Sequence, residues 1–82
     1  MIFYVYMLKS VNNKKAKTYV GYTNNLDSRV KKHNSNKGAK STRGYKWKII
    51  FKKKFYDKSS AMSFEHKLKK NKKMRKNLLE LN

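Results

Sequence analysis

Only four residues of this chain carry a side-chain carboxylate, Asp27, Asp57, Glu65 and Glu80, so the search for a metal ligand or acid–base group is short. Asp27 and Asp57 fall where a helix and a turn begin, and Glu80 lies two residues from the C-terminus. Glu65 has no such local role. Ala61 and Leu68 flank it at i−4 and i+3, which places it within an apolar helical stripe facing the sheet or the border of a cleft. An unpaired charge is costly there. Two readings are open: an ion pair with a neighbouring lysine, or a ligand of a hard divalent cation such as Mg²⁺. That ion accepts one protein carboxylate and completes its shell with water and phosphate. Tyr6 and Tyr19 are two phenols on consecutive apolar segments, open to a packing role or to chemistry at the hydroxyl. Arg29 and His33 stand four residues apart and share one side of a helix, either as a solvated charge and an interfacial histidine or as a working pair. Together the five residues could supply a proton acceptor, a phosphate clamp and a metal, the minimum for hydrolysing a phosphodiester.

The elements that must position them are legible in the hydrophobic pattern. Ile2 to Leu8 is β-branched and aromatic on both alternating faces, as in a central strand covered on both sides. Thr18 to Tyr22 repeats that composition after a polar stretch containing Asn12-Asn13, so the two segments read as a hairpin. A turn centred on Asn12-Asn13 would set Tyr6 opposite Tyr19 and Tyr4 opposite Gly21. A helix is predicted over about Leu26 to Asn34, capped by Asn24 or Asn25, with Asp27 favourably placed in its first turn. Asn34 to Lys46 reads as a basic loop without regular structure, in which Gly38 and Gly44 bracket Lys40 and Arg43. Trp47 to Phe55 reads as an outer strand with Trp47, Ile49, Phe51 and Phe55 on one face and lysines on the other. Ser59 or Ser60 is placed to cap a second helix bearing Ala61, Phe64, Glu65 and Leu68, and the tail continues with Met74, Leu78 and Leu81 on one stripe. The expected architecture is α+β, a three-stranded antiparallel sheet flanked by helices. One domain over 1–82 is expected, with a core at about 3–70 and a helical tail at 71–82.

Composition narrows the function classes. With 82 residues the chain has room for one small core and no large multi-domain enzyme. It has no cysteine, which excludes a disulfide scaffold, a Cys-ligated metal and a thiol nucleophile. Its 23 Lys+Arg against 4 Asp+Glu give a net charge of +19, a field that draws in polyanions and nucleic acid first of all. The longest apolar run, seven residues, is far short of the ~20 of a membrane helix, so a soluble, cytoplasmic protein without a membrane partner is expected.

These residues resemble the GIY-YIG nuclease domain family, found in homing endonucleases, in the N-terminal part of the bacterial excinuclease C subunit and in structure-specific resolvases. The likeness spans about Phe3 to Lys70. Tyr4-Val5-Tyr6 looks like the first half-motif, with Tyr4 where the family often has Gly, and Tyr19-Val20-Gly21 like the second. Asn24-Asn25-Leu26 to Arg29 and His33-Asn34 look like the helix after it. Gly38-Ala39-Lys40-Ser41-Thr42 resembles a loop of the small stand-alone bacterial members, and Phe64-Glu65 to Lys70 the helix bearing the metal-binding glutamate.

The resemblance implies a metal-dependent DNA endonuclease. Glu65 would hold the divalent metal, Mg²⁺ or Mn²⁺, and Arg29 the scissile phosphate. Tyr19, or in some proposals Tyr6, would be the general base, assisted by His33. A phenol near its ordinary pKa of ~10 is a weak base at neutral pH, so this role requires the metal, Arg29 or other cations to favour the phenolate. The family also uses a late Asn, for which Asn71 and Asn77 are both available. The substrate would be DNA, branched or flapped, recognised by structure rather than sequence. Lys37, Lys40 and Arg43 would grip its backbone. The alternatives are a non-catalytic basic nucleic-acid-binding module, in which the same cations track phosphates, and an RNA-associated structural protein.

Overall fold

The computed structural model describes residues 1–11, 15–37 and 40–81. The Asn12-Asn13 turn and the Gly38-Ala39 pair of the basic loop lie outside the described residues. Three strands, β1 (Phe3–Ser10), β2 (Thr18–Thr23) and β3 (Trp47–Phe55), form an antiparallel sheet in the order β2-β1-β3. Helix α1 (Leu26–Asn34) connects β2 towards β3, and α2 (Lys58–Lys70) and α3 (Lys72–Glu80) come after β3. The architecture is α+β, as expected. Among the described residues no helix is long and apolar enough to cross a membrane.

The central position of β1 accounts for its composition: Val5, Tyr6, Met7 and Leu8 are all fully buried, alternately on opposite faces. Val5 and Met7 join Val20, Ala61 and Leu68 beneath α2, with Met74 and Leu78 of α3 packed at the margin. Leu81, expected on the same stripe, is instead exposed beyond the end of α3. Tyr6 and Leu8 pack on the other face with Leu26 of α1 and Trp47 of β3.

The hairpin register differs from expectation by two residues. Tyr6 pairs with Gly21, Leu8 with Tyr19 and Tyr4 with Thr23. A slip of two leaves every side chain on its predicted face, so the hydrophobic pattern could not detect it. What distinguishes the registers is volume: a Cβ on Gly21 would lie 2.6 Å from the Tyr6 hydroxyl, so Tyr6 needs glycine opposite it.

Strand β3 also departs from simple alternation. Leu8 pairs with Ile49 and Met7 with Phe51, leaving Ile50 as an extra residue at a bulge. Beyond the bulge the strand presents its residues to the opposite faces. Trp47 therefore packs with Tyr6 and Leu8, whereas Phe51 and Phe55 pack on the α2 side, not on one shared face as predicted. Lys52, Lys53 and Lys54 are exposed on this edge strand, where charge opposes pairing with a second sheet.

Asn25 caps α1, its Oδ1 accepting the Ser28 N–H at 3.2 Å. Asp57, rather than Ser59 or Ser60, caps α2: it accepts the Ser60 N–H at 2.7 Å and the Ser60 hydroxyl at 2.9 Å. A carboxylate suits the positive end of the helix dipole, and these bonds hold the Asp57 carboxyl below its usual pKa. Asn71 ends α2 and caps α3 through the Met74 N–H at 2.9 Å.

The segment expected to be structureless is tied down by side-chain amides. Asn34 accepts the Trp47 N–H at 2.6 Å and donates to the Trp47 carbonyl at 3.2 Å, while Asn36, at φ 64°, accepts the Gly44 N–H at 2.8 Å. A short 3-10 turn over Lys40–Thr42 completes the connection to β3.

Candidate active site

Four of the five predicted residues line one open cleft of about 630 Å³: Tyr6 from β1, Tyr19 from β2, Arg29 from α1 and Glu65 from α2. His33, the fifth, stands behind the cleft wall rather than on it. It is fully buried, with Nε2 2.9 Å from the Tyr6 hydroxyl and Nδ1 3.0 Å from the Thr42 hydroxyl. The Tyr19 ring packs on the imidazole with centroids 4.8 Å apart, and the two phenol rings lie 6.3 Å apart.

The sequence builds this arrangement from a few local choices. Because Gly21 is opposite Tyr6 and lacks a Cβ, the Tyr6 ring passes across β2 towards α1. On α1 the four-residue spacing carries Arg29 to the cleft rim and His33 one turn deeper, under the Lys40–Thr42 turn. The Thr42 carbonyl accepts the Trp47 indole N–H at 3.0 Å, which anchors that turn to the sheet.

Electrostatics separates the titratable groups. Burial pushes the Tyr6 phenol up to about 12, outweighing the Arg29 guanidinium, which pulls it down. Arg29 does favour the Tyr6 phenolate, as the general-base role requires, but burial is the larger effect and keeps the phenol protonated at neutral pH. Burial, then the Arg29 charge, lowers His33 to about 4, so the imidazole is neutral at physiological pH. Arg29 interacts first with the Tyr6 phenol and then with that of Tyr19, contacts that raise its pKa further.

Glu65 is partly buried, its side chain 17% exposed, and pairs with Lys69 one helical turn on at 3.6 Å. Its charge also contributes to raising the Tyr6 pKa, which places the carboxylate within electrostatic reach of the phenol. Both readings of Glu65 therefore find support: an ion pair exists, and the carboxylate faces a cleft. Among the described residues no three His, Asp or Glu side chains gather around a possible metal, so a cation here would have one protein carboxylate as its ligand.

Lys37, Lys40 and Arg43 are exposed around the turn that covers His33, and none of them lines the cleft. Asn71 and Asn77 do not line it either, and Asn71 is occupied as the α3 cap. Two residues enter that sequence reasoning did not single out. Lys58 lines the cleft seven residues before Glu65, and that two-turn spacing was a usable signal. Thr42, named only as the last residue of the loop likeness over 38–42 and given no role there, has no periodic signature, because a buried hydroxyl inside a polar loop looks like any other loop residue.

A family model described as the GIY-YIG catalytic domain matches residues 2–77. The chain belongs to the GIY-YIG family. The pairing of Tyr6 with Gly21 joins the last residues of the two half-motifs of this GIY-YIG domain across adjacent strands. Tyr4, where the family often has Gly, packs partly buried beside the Tyr6 and Leu8 cluster. The chain is 43% identical over 67 residues to a UPF0213 protein of Oceanobacillus iheyensis, covering 80% of this chain and 74% of that one. It is 44% identical over 68 residues to a UPF0213 protein of Clostridium perfringens, covering 82% and 70%. The solution NMR structure of the UPF0213 protein BH0048 from Bacillus halodurans superposes with a TM-score of 0.58 at 37% identity. That match covers all of this chain and 86% of the other. The match takes in more than two thirds of each of these relatives.

Proposed function

We propose that this GIY-YIG domain is a metal-dependent endonuclease that hydrolyses DNA phosphodiester bonds in the cytoplasm, directed by the shape of its substrate rather than by sequence. The observation that carries this reading is the convergence of Tyr19, Arg29 and Glu65 on one open cleft against the buried Tyr6. Arg29 holds the scissile phosphate, because its planar fork matches phosphate oxygens and its charge is retained at all working pH values. Tyr19, partly exposed, orients or deprotonates the attacking water, and the neutral His33 holds Tyr6 in place. Lys58 adds a second cation at the rim.

Glu65 suits a hard cation such as Mg²⁺ or Mn²⁺, which keeps several waters and needs few protein ligands. Such an ion, when bound, would stabilise negative charge on the phosphate and leaving oxygen. The remaining steps belong to the side chains above.

The Lys69–Glu65 pair supports a second reading, in which Glu65 is a structural ion-pair partner and the domain only binds nucleic acid. Cleavage separates the two. With Mg²⁺ or Mn²⁺, the purified chain should nick single-stranded, flapped or branched DNA. Arg29→Ala and Glu65→Ala should each lower the rate by about 10²–10³ while keeping the wild-type circular dichroism spectrum. Wild-type cleavage indistinguishable from that of Glu65→Ala would remove the enzymatic reading.

A further inference from the structure

Beside the cleft lies a smaller notch of about 250 Å³, lined by Thr18, Tyr19, Val20, Lys69 and Arg75. Tyr19 is the wall common to both. Arg75 is half-buried, and its Nη1 donates to the Leu68 carbonyl at 3.0 Å, which fixes the guanidinium at the junction of α2 and α3. Lys69 comes from the last turn of α2, its side chain half exposed, and reaches Glu65 at 3.6 Å. Among the described residues no carboxylate lines the notch, so its walls carry positive charge only.

From this geometry we propose that Lys69 and Arg75 form a phosphate subsite for the nucleic-acid strand as it leaves the catalytic cleft past Tyr19. The proposal rests on the nuclease reading and extends it by placing a second backbone phosphate. A guanidinium already held by one hydrogen bond keeps the rest of its fork for phosphate oxygens, and loses less freedom on binding than a mobile surface arginine. Lys69, half exposed and paired with Glu65, adds a point charge on the other side of the notch. Every nucleotide of a strand carries a phosphate, so a strand with one phosphate on Arg29 carries others past Tyr19 within a few nucleotides.

The test is a salt titration of single-stranded DNA binding by the full chain in chelator-containing buffer, where metal-dependent cleavage is suppressed. Removing the partner of one phosphate lowers the slope of log K against log salt by about 0.7. Lys69→Gln and Arg75→Gln should each reduce it by about that amount, whereas Lys48→Gln, on exposed β3 surface away from both pockets, should not. Lys69→Gln leaves the Leu68 carbonyl contact intact and remains decisive if Arg75→Gln loosens the helix junction. In parallel, the Arg75 Nε resonance should shift on adding the oligonucleotide. Unchanged slopes in both variants, with binding retained, would overturn the subsite and leave the nuclease reading standing. An Arg75 shift with inorganic phosphate alone, again with unchanged slopes, would make the notch a free-phosphate site and also overturn it. No DNA binding by the wild type would remove both proposals.

Discussion

The Tyr6 hydroxyl lies 2.9 Å from His33 Nε2, and neither side chain has any exposed surface. The imidazole, lowered to about 4, is neutral at pH 7, so one ring nitrogen accepts and the other donates. Arg29 can only donate, and where it meets Tyr6 it takes the phenolic oxygen, which favours the arrangement with the single phenolic proton on the His33 Nε2 side. In that arrangement the ring proton is on Nδ1 and donates to the Thr42 hydroxyl, 3.0 Å away. The result is an ordered chain from the cleft through the sheet to the loop that carries Lys40 and Arg43.

Stability should fall with acid because of His33. Its folded pKa, about 4, is below the ordinary 6.5, so the unfolded chain binds more protons between those values. The contribution is fully present above pH 6.5 and is lost as pH falls towards 4. At about 1.36 kcal/mol per unit the loss is on the order of 2–4 kcal/mol. Urea unfolding from pH 4 to 7 should show this slope in the wild type and a flatter one in His33→Gln. Equal slopes would show that His33 does not carry the effect.

Gly21→Ala should damage both fold and site. The new Cβ would sit 2.6 Å from the Tyr6 hydroxyl and 2.9 Å from Cζ, and Tyr6 is enclosed by Leu8, Leu26 and Trp47. Overpacking of this kind costs about 1–3 kcal/mol. Removing the hydroxyl relieves the nearer contact only, so Gly21→Ala/Tyr6→Phe should recover part of the loss beyond additivity. A double-mutant cycle by thermal unfolding measures that coupling, and a purely additive result would contradict the clash.

The two tyrosines should separate in function. Tyr6 is buried, pushed up to about 12 and bonded to His33, whereas Tyr19 is partly exposed and lines both pockets. Tyr19→Phe should lower DNA cleavage by about 10²–10⁴ with little loss of stability. Tyr6→Phe leaves His33 Nε2 without its buried partner and should lower stability by about 1–3 kcal/mol, with the smaller effect on cleavage. The reverse ordering of the two cleavage rates would move the base assignment to Tyr6.

Most of the framework was legible because it rests on periodicity. The run Ile2 to Leu8 reads as a strand covered on both faces, against an observed Phe3–Ser10, and the boundaries of α1 and β3 agree with their apolar spacing. The errors share one physical cause, since each concerns a choice that periodicity leaves open. A two-residue slip keeps all facings, and only the space above Gly21 distinguishes the registers. The bulge at Ile50 alters facing without altering composition, and Asp57 and Ser59 are equally plausible caps until one accepts the bond. At the site, Glu65 stood out because acids are scarce, and Arg29 and His33 because they are four apart. The burial of His33 behind Tyr6 was hidden, because it depends on how the Lys40–Thr42 turn folds back over it.

That fold-back makes Thr42 the residue whose loss should reach furthest. Its hydroxyl meets His33 Nδ1 and its carbonyl takes the Trp47 indole N–H, so one loop residue holds the imidazole against the sheet. Thr42→Val keeps shape and carbonyl but removes the acceptor that favours the Nδ1–H form. A buried donor left unpaired costs about 1–3 kcal/mol. Imidazole ¹⁵N spectra of the wild type should show protonated Nδ1 and unprotonated Nε2. Thr42→Val should shift the ring towards the Nε2–H form, turning it from acceptor to donor at Tyr6. Cleavage should then fall with little change in apparent DNA affinity, and Thr42→Ser should restore both spectrum and rate. A Thr42→Val protein that loses stability but keeps the wild-type tautomer would limit Thr42 to packing.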